Sequence, residues 1–226
     1  MGSRLRLSLA VIAGCLSSAA VAAVDSAPMS SSDATRFQAY LRSPDYQSLA
    51  LQAVGQMSPE VLPRCPALVS SPGQITLAKA ATFKDGPAPV SGEWVSRNPV
   101  KGCGNDTALN IRFLFDDQGA LRTQILLPGE TQGNPKLQKD ALMFALLGAG
   151  AKAPDCKLLQ VINTAFESHG LKNPSTPDPG VGARFRPWWE TWTVSGCGRK
   201  FAVPLDFIPY DAGVHIIQPR DDVRES

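Results

Sequence analysis

The chain has 226 residues, 43% of them hydrophobic, and carries 22 Lys and Arg against 20 Asp and Glu, a formal net charge of +2. That length suits one large domain or two small ones. The near-balanced charge excludes a field strong enough to draw the whole chain to nucleic acid or acidic lipid.

Taken from the N-terminus, Arg4 and Arg6 precede an apolar run from Leu7 to Ala23 that ends in small residues. A basic start, a short apolar core and a small-residue cleavage site predict a secretory signal peptide over 1–23. The run is short for a membrane span. Ile12-Ala13-Gly14-Cys15 resembles the lipobox of bacterial lipoproteins, which implies acylation of Cys15 as the alternative processing. Membrane contact is expected only in that case. Residues 24–42 read as a linker and a short helix over 33–41.

A clearer helix follows. Ser43 is placed to cap it and Pro44 suits its first position, where no amide hydrogen is needed. Tyr46, Leu49, Ala50, Ala53 and Met57 form one apolar stripe. Strands are predicted over 74–83, 93–97, 108–115 and 120–127, with Asp117-Gln118-Gly119 as a hairpin turn. Asn134-Pro135 then repeats the capping device for a helix predicted to end at Gly148 and Gly150. Strands are predicted over 157–167, 189–195, 200–208 and 214–218, with Asp211-Ala212-Gly213 as the matching turn.

The order is helix and four strands, twice. Pro44 and Pro135, Gln47 and Gln138, Leu51 and Leu142, and Cys65 and Cys156 each lie 91 residues apart. Counted from Cys103-Gly104 and Cys197-Gly198, a Phe, an Asp and a Gly fall at equal offsets: Phe113, Asp117, Gly119 and Phe207, Asp211, Gly213. Trp94 and Trp192 precede the two Cys-Gly pairs and read as equivalents. The expected fold is therefore α+β, two tandem copies of a helix plus four-stranded antiparallel sheet unit, at 43–127 and 134–219, followed by a tail over 220–226.

Apart from Cys15 there are four cysteines. An even number in an exported chain predicts disulfides. Three pairings are open; Cys65–Cys103 with Cys156–Cys197 closes the shorter loop inside each copy. Two histidines and no C-x-x-C pair argue against zinc, and no metal or cofactor is expected. His215 sits among Val214, Ile216 and Ile217, a setting that suits a structural role. With no G-x-S-x-G, no H-E-x-x-H and no phosphate-binding glycine loop, no catalytic residue is assigned.

One cluster stands apart, Arg184-Phe185-Arg186-Pro187-Trp188-Trp189 with Trp192. Alternation sends Trp188, Glu190 and Trp192 to one face and Trp189 to the other. Trp189, Arg184 and Arg186 are the candidate binding residues, because Trp and Arg are common interface anchors.

The window Leu109–Glu167 resembles the C-terminal domain of the TonB family. Leu109, Ile111, Phe113, Phe115, Asp116 and Gly119 match its first strand and turn. Pro128-Gly129 stands where the family has Ser-Ser-Gly, Leu137, Asp140, Ala141 and Leu142 match its helix, and Leu158 to Phe166 match its last strand. The four cysteines are an addition to the family pattern. The resemblance implies a small periplasmic α+β binding domain and does not extend to energy transduction. The final Trp-x-x-x-x-Cys-Gly unit resembles tails of uncharacterised secreted proteobacterial proteins. The expected function is a non-catalytic protein-binding or structural module of a Gram-negative envelope, periplasmic or secreted, with an envelope protein as partner. The alternatives are a hydrolase whose carboxylates converge in space, and an adaptor lipid-anchored to the outer membrane.

Overall fold

Two helix caps set the frame. In the computed structural model, which describes residues 29–62, 69–70, 73–102, 105–172, 186–210, 213–217 and 222–225, Ser43 accepts from the Tyr46 amide at 3.3 Å and Asn134 from the Leu137 amide at 3.0 Å. Each caps a helix that opens with proline: α2 (Pro44–Val54) and α3 (Pro135–Lys152). The N-terminal helix α1 (Ser31–Leu41) precedes them, capped by Ser30. Helix α3 runs past Gly148 and Gly150 instead of ending there. Gly148 is buried with Ala141, Ala145 and Ala149 on the face turned to the sheet, so its missing side chain serves close packing.

The strands form two antiparallel sheets. The first holds β1 (Val69–Ser70), β2 (Gln74–Phe83), β3 (Pro89–Gly102), β4 (Asn105–Phe115) and β5 (Leu121–Ile125). Strand β3 lies between β4 on one side and β1 and β2 on the other. The second holds β6 (Gln160–His169), β7 (Trp188–Gly196), β8 (Arg199–Tyr210), β9 (Gly213–Ile217) and β10 (Arg224–Glu225), with β9 and β10 both on the outer side of β8. The class is mixed helix and antiparallel sheet, as expected.

Each sheet buries one face under helix. Phe37 and Tyr40 of α1 and Tyr46 and Ala53 of α2 pack on Trp94, Ile111 and Phe113. The alanines of α3 pack on Trp192, Val194, Phe201, Val203, Leu205 and Phe207. Both Phe113 and Phe207 are fully buried. Register sets what each tryptophan faces. Trp94 lies across from Phe113, its ring stacked at 5.4 Å, and Trp188 lies across from Phe207, stacked at 5.0 Å. Trp192 faces Val203 instead. Strand register, counted from each hairpin turn, thus sets Trp94 and Trp188 across from the two phenylalanines.

That turn has specific chemistry. Gly196 and Arg199 pair directly, leaving a two-residue loop in which Cys197 has φ 51° and Gly198 φ 75°. Two successive positive φ values define a type I′ turn, whose twist suits a hairpin. Cys197 tolerates this as the outer end of a disulfide to Cys156, with Cα atoms 5.8 Å apart. The bond ties the exit of α3 to the β7–β8 hairpin. Cys65, Cys103 and Cys15 lie outside the described residues. Cys197→Ser is expected to cost about 4 kcal/mol, the chain-entropy value for a loop of this length, read as a shift of the urea midpoint under non-reducing conditions.

Asp116, and not Asp117, builds the β4–β5 turn. Its carboxylate accepts from the Gln118 and Ala120 amides at 3.0 and 2.9 Å and from Arg122 at 2.8 Å. The Ala120 amide first, and Arg122 next, hold its pKa below the usual carboxylate value. A folded pKa below the unfolded one gives stability that is present above the unfolded value and lost as pH falls through the folded one. Asp116→Asn should therefore flatten the acid limb of a stability profile measured from about pH 5 to 2.

Candidate functional site

The two sheets meet along the segment that joins β5 to α3. Its first residues follow β4: the Leu126 amide donates to the Asn110 carbonyl at 2.9 Å and the Gly129 amide to the Ala108 carbonyl at 2.7 Å. The buried Asn110 amide group donates to the Leu127 and Gly129 carbonyls at 2.8 and 2.9 Å. On its other side the segment bonds β6. The Thr164 amide donates to the Pro128 carbonyl at 2.8 Å, and the Glu130 amide to the Thr164 carbonyl at 2.6 Å. The Thr164 hydroxyl also donates to the Pro128 carbonyl, at 2.8 Å. Residues 128–130 thus act as a short strand between the sheets, in parallel pairing with β6 at Gly129 and Thr164. Gly129 has φ +96°, and a Cβ there would run into the Thr164 backbone.

Side chains reinforce this seam. Val61, Val100, Leu109 and Ile162 form a small buried cluster drawn from both sheets and the loop after α2. The Thr107 hydroxyl of β4 donates to Asn163 Oδ1 of β6 at 2.6 Å, and Gln160 Nε2 donates to the Ser58 hydroxyl at 2.5 Å.

Above the seam lies an open groove of about 240 Å³ lined by Arg97, Asp106, Thr107, Glu130, Asn163 and Phe166, with backbone of 129 and 164–165. Several of its polar side chains are already paired. Arg97 meets Glu130 at 3.3 Å, Thr107 meets Asn163, and Asp106 meets Lys101 at 3.7 Å. Groups already held in this way present fixed donors and acceptors along the groove. They form no nucleophile–base pair of the kind acyl transfer needs.

A second polar centre lies beneath. Glu190 of β7 is fully buried on the face turned to α3. Its Oε1 accepts from the Thr131 hydroxyl at 3.0 Å, the Gln132 amide at 2.9 Å and Trp188 Nε1 at 2.9 Å. Its Oε2 accepts from Trp192 Nε1 at 2.7 Å. The carboxyl group therefore anchors residues 131–132 to the second sheet just after 128–130 have bridged to β6. The first sheet places Ser96 and Trp94 beside the Tyr46 phenol from α2, and burial raises the pKa of that phenol.

Of the residues singled out in the sequence, Arg186 is exposed at the start of β7. Trp189 is half-buried on the sheet face opposite Glu190, its Nε1 donating to Ser168 Oγ at 2.9 Å and Lys172 Nζ 5.4 Å from its ring. Neither lines the groove, and Arg184 lies outside the described residues. Sequence reading missed the groove residues, which come from four separate segments. Glu190 carried a signal, since alternation already set it between two core tryptophans.

Compared with known proteins, the chain matches no family model, no curated protein and no solved structure.

Proposed function

We propose that this chain is an exported, non-catalytic protein-binding module of the cell envelope, built as two tandem copies of a helix plus four-stranded antiparallel sheet unit. The carrying observation is the groove over the seam, in which Arg97 is already paired with Glu130 and Thr107 with Asn163. Such a surface suits an extended segment of another protein, which would meet the Arg97–Glu130 pair and the Phe166 side chain. The resemblance of residues 109–167 to the TonB C-terminal domain supports a binding role, since that window covers β4, β5, α3 and β6 and so spans the seam.

Several correspondences support the tandem reading. The capped helices start 91 residues apart, at Pro44 and Pro135. Val69 pairs with Lys101 as Gln160 pairs with Ser195, so β1 followed by β2 answers to the single strand β6. Beyond the loop after that strand the offset becomes 94, shared by Trp94 and Trp188 and by Phe113 and Phe207.

The test is a photo-crosslinking amino acid placed at Phe166, in the groove, and at Gln52, on the exposed side of α2. The full exported chain is incubated with envelope extract. A defined protein adduct at 166, absent at 52 and reduced by Glu130→Lys, is the expected result. Absence of any adduct at 166, or turnover of a substrate lost on Glu130→Gln, would overturn the reading.

A further inference from the structure

We propose that the Cys156–Cys197 disulfide is a redox-sensitive latch on the C-terminal end of α3. That end is weak by itself. Gly148 and Gly150 both lie in its last two turns, and each glycine lowers the local helix equilibrium about fivefold relative to alanine. The side chains it sets against the sheet are small, Ala145, Ala149 and Ala153 with none at Gly148, and they bury little apolar surface. Leu146 is the larger contact it adds. The N-terminal half is held more firmly. Asn134 caps it, Gln138 Nε2 donates to the Gly133 carbonyl at 2.8 Å, and Leu137 and Leu142 pack on the core.

The bond ties this weak end to a strong one. Cys156 lies just past the helix, its amide donating to the Ala153 carbonyl at 3.0 Å. Cys197, at the tip of the β7–β8 hairpin, is exposed, and Cys156 is half-buried. Exposed disulfides are more open to thiol attack than buried structural ones. The hairpin is closed by its own ladder, from Gly196–Arg199 to Trp188–Phe207, and its type I′ turn suits it with or without the bond. The segment after α3 joins no strand before Gln160, and Leu158 within it is 83% exposed. It lies flush on Gly196, where a Cβ would strike the Leu158 carbonyl. Opening the bond takes two electrons from a dithiol. One thiolate attacks the exposed Cys197 Sγ, the S–S bond breaks, and Cys156 leaves as a thiolate that takes up a proton. The second thiol attacks the mixed disulfide and releases Cys197 as a thiol, and the dithiol ends as a disulfide. The freed helix end then unwinds from Leu147 onward and uncovers Val194 and Phe201, the fully buried pair nearest the hairpin turn. Exposure of that apolar surface thereby follows the thiol balance around the chain. The inference does not rest on the groove or on a binding role.

Two measurements on the full chain test it. In the first, folded protein is treated with dithiothreitol without denaturant, free thiols are alkylated, and peptide mapping follows residues 156 and 197. Alkylation at both is expected. In the second, Cys156→Ser with Cys197→Ser opens this bond alone, with no reductant added. Hydrogen exchange over 147–153 should then lose about tenfold of its protection, while β7 and β8 keep theirs. Adding Gly150→Ala to that variant should restore about fivefold, since a Cβ there rests 3.7 Å from Leu159 Cδ1, an ordinary contact. A bond that resists dithiothreitol in the folded protein overturns the proposal. So does unchanged protection over 147–153, or no recovery with Gly150→Ala. A loss spread equally through β7 and β8, or a double variant unfolded by circular dichroism, also overturns it, since the bond would then hold the whole second sheet and not one helix end.

Discussion

Glu190→Ala is expected to lower the unfolding free energy by about 4 kcal/mol, because it removes the acceptor of four donors at once and each one left unsatisfied away from water costs roughly 1–3 kcal/mol before relaxation. The Trp192 indole N–H has no route to water, since Trp192 and Glu190 are fully buried. The Gln132 amide and the Thr131 hydroxyl would lose their acceptor in the same step. Glu190→Gln keeps the shape but turns one acceptor into a donor facing donors, and should cost about half as much. Urea titration gives the magnitude. Near-ultraviolet circular dichroism and tryptophan emission report whether Trp188 and Trp192 have lost their fixed environment. A change below about 1 kcal/mol for Glu190→Ala would mean that residues 131–132 are held by other contacts.

Gly129→Val should be of similar size, about 4 kcal/mol, for a different reason. Positive φ is strained for a β-branched residue, and the side chain would meet the Thr164 backbone in the middle of the seam. Moving 128–130 aside breaks the bonds to Ala108 and Thr164 together. Gly119→Ala provides the control. Its φ is +75° but a Cβ there meets nothing, so it carries the backbone term alone, about 1 kcal/mol. If the two substitutions cost the same, steric contact at the seam contributes nothing.

The elements were legible where local chemistry fixes them. The Ser43-Pro44 and Asn134-Pro135 pairs mark helix starts whatever the tertiary setting, because the cap satisfies amides that are otherwise unpaired. Alternation in 108–115 and 200–208 placed β4 and β8, since only one face of each sheet meets helix. Three features were misread or unread because tertiary contact decides them. Gly148 and Gly150 resemble a helix end until the close approach of the sheet is known. Cys197-Gly198 is recognisable as a type I′ turn only once Gly196 is known to pair with Arg199. That Trp188 faces Phe207 while Trp192 faces Val203 is set by strand register, which is measured from the turn and cannot be read from residue type. The candidate site was the least legible part. Arg97, Thr107, Glu130 and Asn163 are ordinary surface residues until the 128–130 segment draws β4 and β6 together.

That segment has a thermodynamic consequence. Two sheets with separate apolar cores would ordinarily denature as two independent transitions. Here one stretch of backbone supplies a pairing edge to both, and Glu190 fastens its far end. Loosening either core removes bonds from the other, so the pair should melt in a single calorimetric peak whose van't Hoff and calorimetric enthalpies agree. A polypeptide cut between 127 and 134 should yield fragments that associate or aggregate, because each then carries an uncapped strand edge.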